Sequence, residues 1–149
     1  MNQSIVISKS GVKTEFEVLV YKYANAIEGA DNAKAVRNVK SDRIDDAADA
    51  LLVDNNFDKR LKEVVGLMHD FGATISTSGD NVTVAFVVTS RWAGNTDTLL
   101  SMAKAYIIDG MLADWFNASA PTEAAIYITR LQMDVTNLMN ELYKKGTTQ

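Results

Sequence analysis

The sequence predicts an α+β domain, mainly α: a helical bundle of four to five helices with one β-hairpin and a short N-terminal strand or arm. Three observations carry this expectation. From Ala124 onward the apolar residues fall at Ala124, Ile128, Leu131, Val135, Leu138 and Leu142, in steps of four and three that suit one helix packing on another. Over residues 73–90 the period shortens: 73–77 and 82–89 are rich in β-branched residues, and Ser78-Gly79-Asp80-Asn81 between them is turn chemistry. Finally, 149 residues with 47% apolar and 23% charged content suffice for a single domain with one core.

The elements follow in chain order. Residues 4–8, Ser-Ile-Val-Ile-Ser, read as a strand or as part of an extended arm spanning residues 1–12, which Gly11 ends. Thr14 and Glu17 form a Ser/Thr-x-x-Glu capping box, predicting a helix to about Glu28 with Phe16, Val20, Tyr23 and Ile27 on one face and Gly29 as its stop. Residues 30–41 read as a loop. Ser41 or Asp42 is expected to cap a second helix with Ile44, Ala48, Leu51 and Leu52 inward. Asp54-Asn55-Asn56 interrupts the register, and a third helix carries Phe57, Leu61, Val64, Met68 and Phe71 until Gly72.

The hairpin of residues 73–90 comes next, and residues 96–145 are read as a C-terminal helical hairpin. Asn95 or Thr96 caps its first helix, whose apolar residues come in adjacent pairs: Ile107 and Ile108, Met111 and Leu112, Trp115 and Phe116. So wide an apolar face marks the central helix. Pro121 sits at the first turn of the last helix, where its missing N–H is no loss. That helix is expected to reach Lys145, with Lys144 and Lys145 suiting its negative end.

Composition narrows the function classes. A net charge of −4 disfavours generic nucleic-acid binding, which needs clustered Lys and Arg, and no sequence-specific nucleic-acid contact is expected. The absence of cysteine removes disulfides, thiolate zinc sites and cysteine nucleophiles together. Residues 1–10 lack the basic and then apolar pattern of a secretory signal, so the Asn-x-Ser/Thr triplets at Asn81 and Asn117 are expected to be chance, and no stretch has the length of a membrane span.

No constellation carries catalysis. Asp42, Asp45, Asp46, Asp49, Asp54 and Asp58 form an acidic run, and Asp54, Asn56 and Asp58 match the first three ligand positions of an EF-hand loop. The match fails at Lys59, where the loop needs Gly, and at Val65, where it needs Glu. Helix capping and dipole compensation are the expected roles of this run. His69, the only histidine, has no Gly-x-Ser-x-Gly serine to activate. Gly-rich phosphate cradles are absent. No enzyme activity, cofactor or metal is therefore expected. The residues singled out for an interface are Lys34, Arg37 and Lys40, a basic set in the loop, and Arg91 with Trp92 after the hairpin, where Trp92 serves either as an interface anchor or as a cap on the core.

Residues 57–142 carry a resemblance. An acidic break precedes a helix, a β-hairpin ends near an aromatic, and then comes Thr-Asp-Thr-Leu-Leu-Ser-Met-Ala-Lys-Ala-Tyr-Ile-Ile-Asp-Gly-Met-Leu-Ala-Asp-Trp-Phe. The most specific pieces are the helix-ending Trp115-Phe116 and the Pro-x-Glu-Ala-Ala-x-Tyr start at Pro121, Glu123, Ala124, Ala125 and Tyr127. This order resembles small structural proteins of tailed bacteriophages and prophages of Bacteroidetes. The resemblance implies a virion head–tail connector or neck component that forms a cyclic homo-oligomer and bridges portal and tail, assembled in the host bacterial cytoplasm. It brings no active-site residues with it, and the first fifty residues lie outside it. Two other classes stay open: a small cytoplasmic adaptor or regulatory protein using the 107–116 face as a groove, and a carboxylate–metal enzyme built on the aspartate run.

Overall fold

The computed structural model describes residues 1–26, 47–117 and 120–146. In order they form β1 (Asn2–Ser8), α1 (Lys9–Ala26), α2 (Ala47–Leu67), a 3-10 turn (His69–Phe71), β2 (Thr74–Ser78), β3 (Asn81–Val87), α3 (Thr96–Phe116) and α4 (Pro121–Leu142). The fold class is the predicted one: mainly helical, with a small antiparallel sheet.

The hairpin does not stand alone. The sheet order is β1–β3–β2, with β1 antiparallel to β3 from Asn2 opposite Val87 to Ser8 opposite Asn81. Of the two readings of the N-terminus, strand and arm, residues 2–8 adopt the strand. Ile5 and Ile7 of β1 and Val82, Val84 and Phe86 of β3 alternate inward, the period-two pattern of a sheet with one face on a core. Every residue of β2 is exposed. Gly79, at φ +60°, makes the two-residue turn between β2 and β3.

The start of α1 differs from the expectation. Gly11 does not end an arm; it lies in the first turn of a helix that begins at Lys9. Thr14 and Glu17 therefore fall inside the helix rather than at a capping box. The cap is Ser8, whose Oγ accepts from the Gly11 N–H at 3.1 Å. Asp80, in the hairpin turn, supports it: Oδ2 accepts from the Ser8 and Ser10 hydroxyls at 2.7 Å each, and Oδ1 from the Ser10 N–H at 2.9 Å. Val12, Phe16 and Val20 are buried, as the four-residue spacing requires.

The predicted break at Asp54-Asn55-Asn56 is no break. One continuous helix, α2, runs through it. Its buried stripe is Val53, Phe57, Leu61 and Val64, continued by Met68 just past its end, while Leu51 is 61% exposed and Leu52 46% exposed, against expectation. Asp54 and Asp58 do not cap a helix start either. They face α1, with Asp54 Oδ1 2.7 Å from Lys13 Nζ and Asp58 Oδ1 3.8 Å from Lys9 Nζ. Gly72, at φ +65°, closes the 3-10 turn that follows. The predicted positions Ile27, Gly29, Asp42, Ile44, Asp45 and Asp46, and the loop of residues 30–41, lie outside the described residues.

α3 is the central element, touching α1, α2, α4 and β1. Asn95 caps it, its side chain accepting from the N–H groups of Asp97 (2.8 Å) and Thr98 (3.1 Å). Leu99, Ala103, Ile107, Met111, Leu112 and Phe116 are buried, so the 107–116 face, open as a partner groove in the adaptor alternative, is filled from within. The joint between α3 and α4 explains the Trp-Phe and Pro-x-Glu-Ala-Ala-x-Tyr pieces. Phe116 stacks on Tyr127 at 6.0 Å and meets Tyr23 at 4.5 Å, Trp115 meets Phe16 edge-on at 5.8 Å, and Ala124 lies buried. These aromatics tie α1 to both arms of the helical hairpin.

On α4 the heptad stripe holds in part. Ala124, Leu138 and Leu142 are buried and Leu131 and Val135 half-buried, but Ile128 is 48% exposed and Tyr127 takes its inward place. The helix ends at Leu142, so Lys144 and Lys145 do not complete its last turn; they leave it to run beside residues 91–93.

Candidate interface at the Trp92 clasp

Trp92 holds the C-terminal end of α4 to the loop that leads into α3. Its indole Nε1 donates to the Glu141 carbonyl at 3.1 Å, and its ring meets Phe86 edge-on at 6.2 Å. Backbone bonds lace the same two segments: Ala93 N–H to the Lys144 carbonyl and Gly146 N–H to the Arg91 carbonyl, each at 2.9 Å. Glu141 is buried, and its Oε1 accepts from the Asn95 N–H at 2.8 Å. One glutamate therefore binds Trp92 through its carbonyl and the helix-capping residue through its carboxylate. Gly94 is required by close approach: a Cβ there would strike the Trp92 ring and lie 2.6 Å from the Glu141 carbonyl oxygen.

Of the two roles weighed for Trp92, the geometry supports the cap, yet the clasp also borders an open surface. A hollow of about 170 Å³ lies beside it, walled by Phe71, Trp92 and Tyr143, floored by Val88 and Leu142, and rimmed by Lys144 and Lys145. Tyr143 is half-exposed, crosses Phe71 at 5.1 Å and donates its hydroxyl to Asp70 Oδ2 at 3.0 Å. That bond to a carboxylate raises the Tyr143 pKa. Arg91 is exposed on the same loop. An aromatic-walled, lysine-rimmed hollow on an acidic chain suits an apolar side chain flanked by carboxylates. Of the residues singled out from sequence, Arg91 and Trp92 belong to this region. Lys34, Arg37 and Lys40 lie outside the described residues.

Two further polar clusters escaped the sequence reading. Arg60 on α2 lies across α3 at Gly110, where a Cβ would clash with its side chain, and reaches Asp114 with two bonds, Nη2 to Oδ1 at 2.7 Å and Nε to Oδ2 at 3.1 Å. Its Nη1 also donates to Glu63 Oε1 at 2.9 Å, and the Tyr106 hydroxyl donates to the same oxygen at 3.0 Å. Burial opposes the guanidinium charge, but the carboxylates of Asp114 and Glu63 outweigh it and raise the Arg60 pKa. Burial, with the bond to Glu63, raises that of Tyr106.

The second cluster is Asp109 on α3 with Asp134 on α4. Asp109 is pushed up to about 8 by burial, by its hydrogen bond to Asp134 and by that neighbour's charge, against the opposing pull of Arg130. The Asp134 Oδ2 is shut away from solvent with no N–H or other hydroxyl reaching it among the described residues. Nothing in the sequence around either aspartate signals the pairing, because it depends on how two helices cross.

Among the described residues no group of three or more His, Cys, Asp or Glu is placed to hold a metal ion, and no helix is long and apolar enough to cross a membrane. Compared with protein-family models, with curated proteins and with solved structures, the chain matches none.

Proposed function

We propose that this chain is a structural virion protein of a tailed phage, a head–tail connector or neck component that bridges portal and tail and works as a cyclic homo-oligomer without catalytic activity. The observation that carries the proposal is the Trp92 hollow, an aromatic anchor pocket with a cationic rim, set at the end of the helical hairpin whose Trp115-Phe116 and Pro121–Tyr127 joint bears the resemblance. A subunit clamped between neighbours needs a stiff body, and α3 supplies one by packing against α1, α2 and α4. The adaptor reading relocates to the same hollow, since the 107–116 face is internal.

Light scattering and negative-stain imaging test the proposal, with the protein alone and mixed with portal and tail proteins from the same genome. Ring-shaped particles, or decoration of portal rings, are expected. Reversing the rim with Lys144→Glu and Lys145→Glu weakens that contact while the circular dichroism stays unchanged. A strict monomer that binds neither portal nor tail protein overturns the proposal, and a defined one-to-one complex with a non-virion protein replaces it with the adaptor reading.

A further inference from the structure

Three cations without a carboxylate partner gather at the Trp92 hollow. Lys9, Lys13, Lys59, Arg60 and Lys104 each meet a carboxylate. Arg91, Lys144 and Lys145 are exposed, and among the described residues no carboxylate pairs with any of them. The acids of this region are engaged elsewhere. Glu141 is buried on the Asn95 N–H, and Asp70 accepts the Tyr143 hydroxyl. On a chain of net charge −4 this patch is positive against the trend.

The backbone beside the patch offers a strand edge. Trp92 and Lys145 are antiparallel partners. The bonds that flank them, Ala93 N–H to the Lys144 carbonyl and Gly146 N–H to the Arg91 carbonyl, mark a non-hydrogen-bonded pair. In such a pair each residue turns its own N–H and C=O away from the partner strand. The Lys145 N–H and carbonyl therefore face the outer edge, where no described residue bonds either group. Lys145 also lines the hollow. A residue of an added antiparallel strand can exchange both N–H···O bonds with it and set its own side chain opposite that of Lys145. The hollow itself is about 170 Å³, below the roughly 300–1,000 Å³ of sites that enclose a small molecule. It has room for one apolar side chain among the rings of Phe71, Trp92 and Tyr143.

We infer that the hollow takes an acidic, extended segment of another protein. One apolar or aromatic anchor of that segment enters it, aspartates or glutamates on either side meet Arg91, Lys144 and Lys145, and the segment's backbone pairs with Lys145 as an added strand. The inference rests on the reading of this hollow as a contact site and supplies the chemistry of its occupant. Each observation selects a part of that occupant. The uncompensated cations call for carboxylates. The Lys145 edge calls for an extended backbone, because a helix has its N–H and C=O groups engaged internally. The depth of the hollow calls for a single anchor. A nucleic acid would satisfy the cations but has no peptide ladder to set against Lys145.

The probe is the capped peptide Asp-Glu-Phe-Glu-Asp, titrated into the isotope-labelled full chain and followed by amide NMR. Millimolar peptide shifts the amide signals of residues 143–146 and the indole N–H of Trp92, and the Lys145 amide moves downfield as it gains an acceptor. Combining Lys144→Glu with Lys145→Glu weakens binding about fivefold or more with circular dichroism unchanged. Added salt weakens it too. Replacing the four acids of the peptide by lysine, or its phenylalanine by alanine, abolishes the shifts. Signals that stay in place at millimolar peptide overturn the inference, as does equal binding of the lysine peptide. Movement of the same signals by oligothymidylate and not by the peptide overturns it in favour of a nucleic acid. Imaging of rings and portal complexes reads the neck proposal separately. Rings without peptide binding remove this occupant and leave that proposal standing, and peptide binding by a chain that stays monomeric and ignores portal and tail protein does the reverse.

Discussion

The Asp109 carboxyl on α3 hydrogen-bonds the Asp134 carboxyl across the α3–α4 interface. Burial disfavours the charged form of Asp109 most, and the hydrogen bond to Asp134 and that neighbour's charge add to it. The folded-state pKa of Asp109, about 8, lies above an unfolded value near 3.9. The native state therefore binds the extra proton, and the contribution is present in full below about pH 4 and lost as pH rises through about 8. Thermal melts should show stability falling across that window. Asp109→Asn keeps the hydrogen bond without the titration: its melting temperature should exceed that of the unsubstituted chain at pH 9, and the difference should shrink as pH falls and level off only below about pH 4.

Arg60 and Gly110 form a second testable pair. Gly110→Ala sets a methyl group where the Arg60 side chain crosses α3, and should destabilise by about 1–3 kcal/mol through overpacking. Arg60→Ala leaves Asp114 with only the looser Lys59 contact at 3.5 Å and should cost about 2 kcal/mol. In the double variant the methyl group has nothing to strike, so the two effects should add to less than their sum by about 1 kcal/mol or more. Denaturant unfolding of the four proteins measures this coupling, and strict additivity would show that the crossing is not made in solution.

Asp80 predicts the acid limb of the stability curve. Its hydrogen bonds from the Ser10 and Ser8 hydroxyls and the Ser10 N–H lower its pKa below the ordinary 3.8. The sign is opposite to that of Asp109: the contribution is present above about pH 4 and lost as pH falls through the depressed value. Asp80→Ala should lower the melting temperature at pH 7 and flatten the slope below pH 4. Amide exchange should quicken first in the opening turn of α1, whose cap leans on this carboxylate.

Trp92→Phe keeps the edge contact with Phe86 but removes the indole donor to the Glu141 carbonyl. It should cost about 1 kcal/mol and loosen residues 143–146 in amide exchange. Asn95→Ala should cost a similar amount, about 1 kcal/mol, by uncapping α3. Because Glu141 joins both residues, the double variant should deviate from additivity in unfolding experiments.

Features set by local periodicity were legible in the sequence. The hairpin, the Asn95 cap, the Pro121 start and the centrality of α3 all follow from neighbours within one turn. The misplaced features depend on distant partners. The start of α1 is fixed by Ser8 with Asp80, 72 residues away, which the local capping box at Thr14 and Glu17 cannot reveal. Asp54 read as a break because its lysine partners on α1 could not be seen from α2. Ile128 was drawn into the heptad stripe because a strict seven-residue repeat drifts around a helix of 3.6 residues per turn, and Tyr127 sits nearer the core. The candidate site was half legible: Arg91 and Trp92 were singled out, but Phe71, Tyr143, Lys144 and Lys145 complete the hollow only through the fold.

The pairing of β1 with β3 also sets an order of events during synthesis. Ile5 and Ile7 are made well before the strand they pair with, which begins at Asn81. At roughly 5–20 residues per second, the nascent chain carries an unpaired, uncharged, β-branched strand for on the order of 4–15 seconds. On crowded polysomes that interval is when neighbouring nascent chains can pair through β1 instead, so conditions that slow elongation between residues 8 and 81 should reduce soluble yield before they alter the stability of any molecule that has folded.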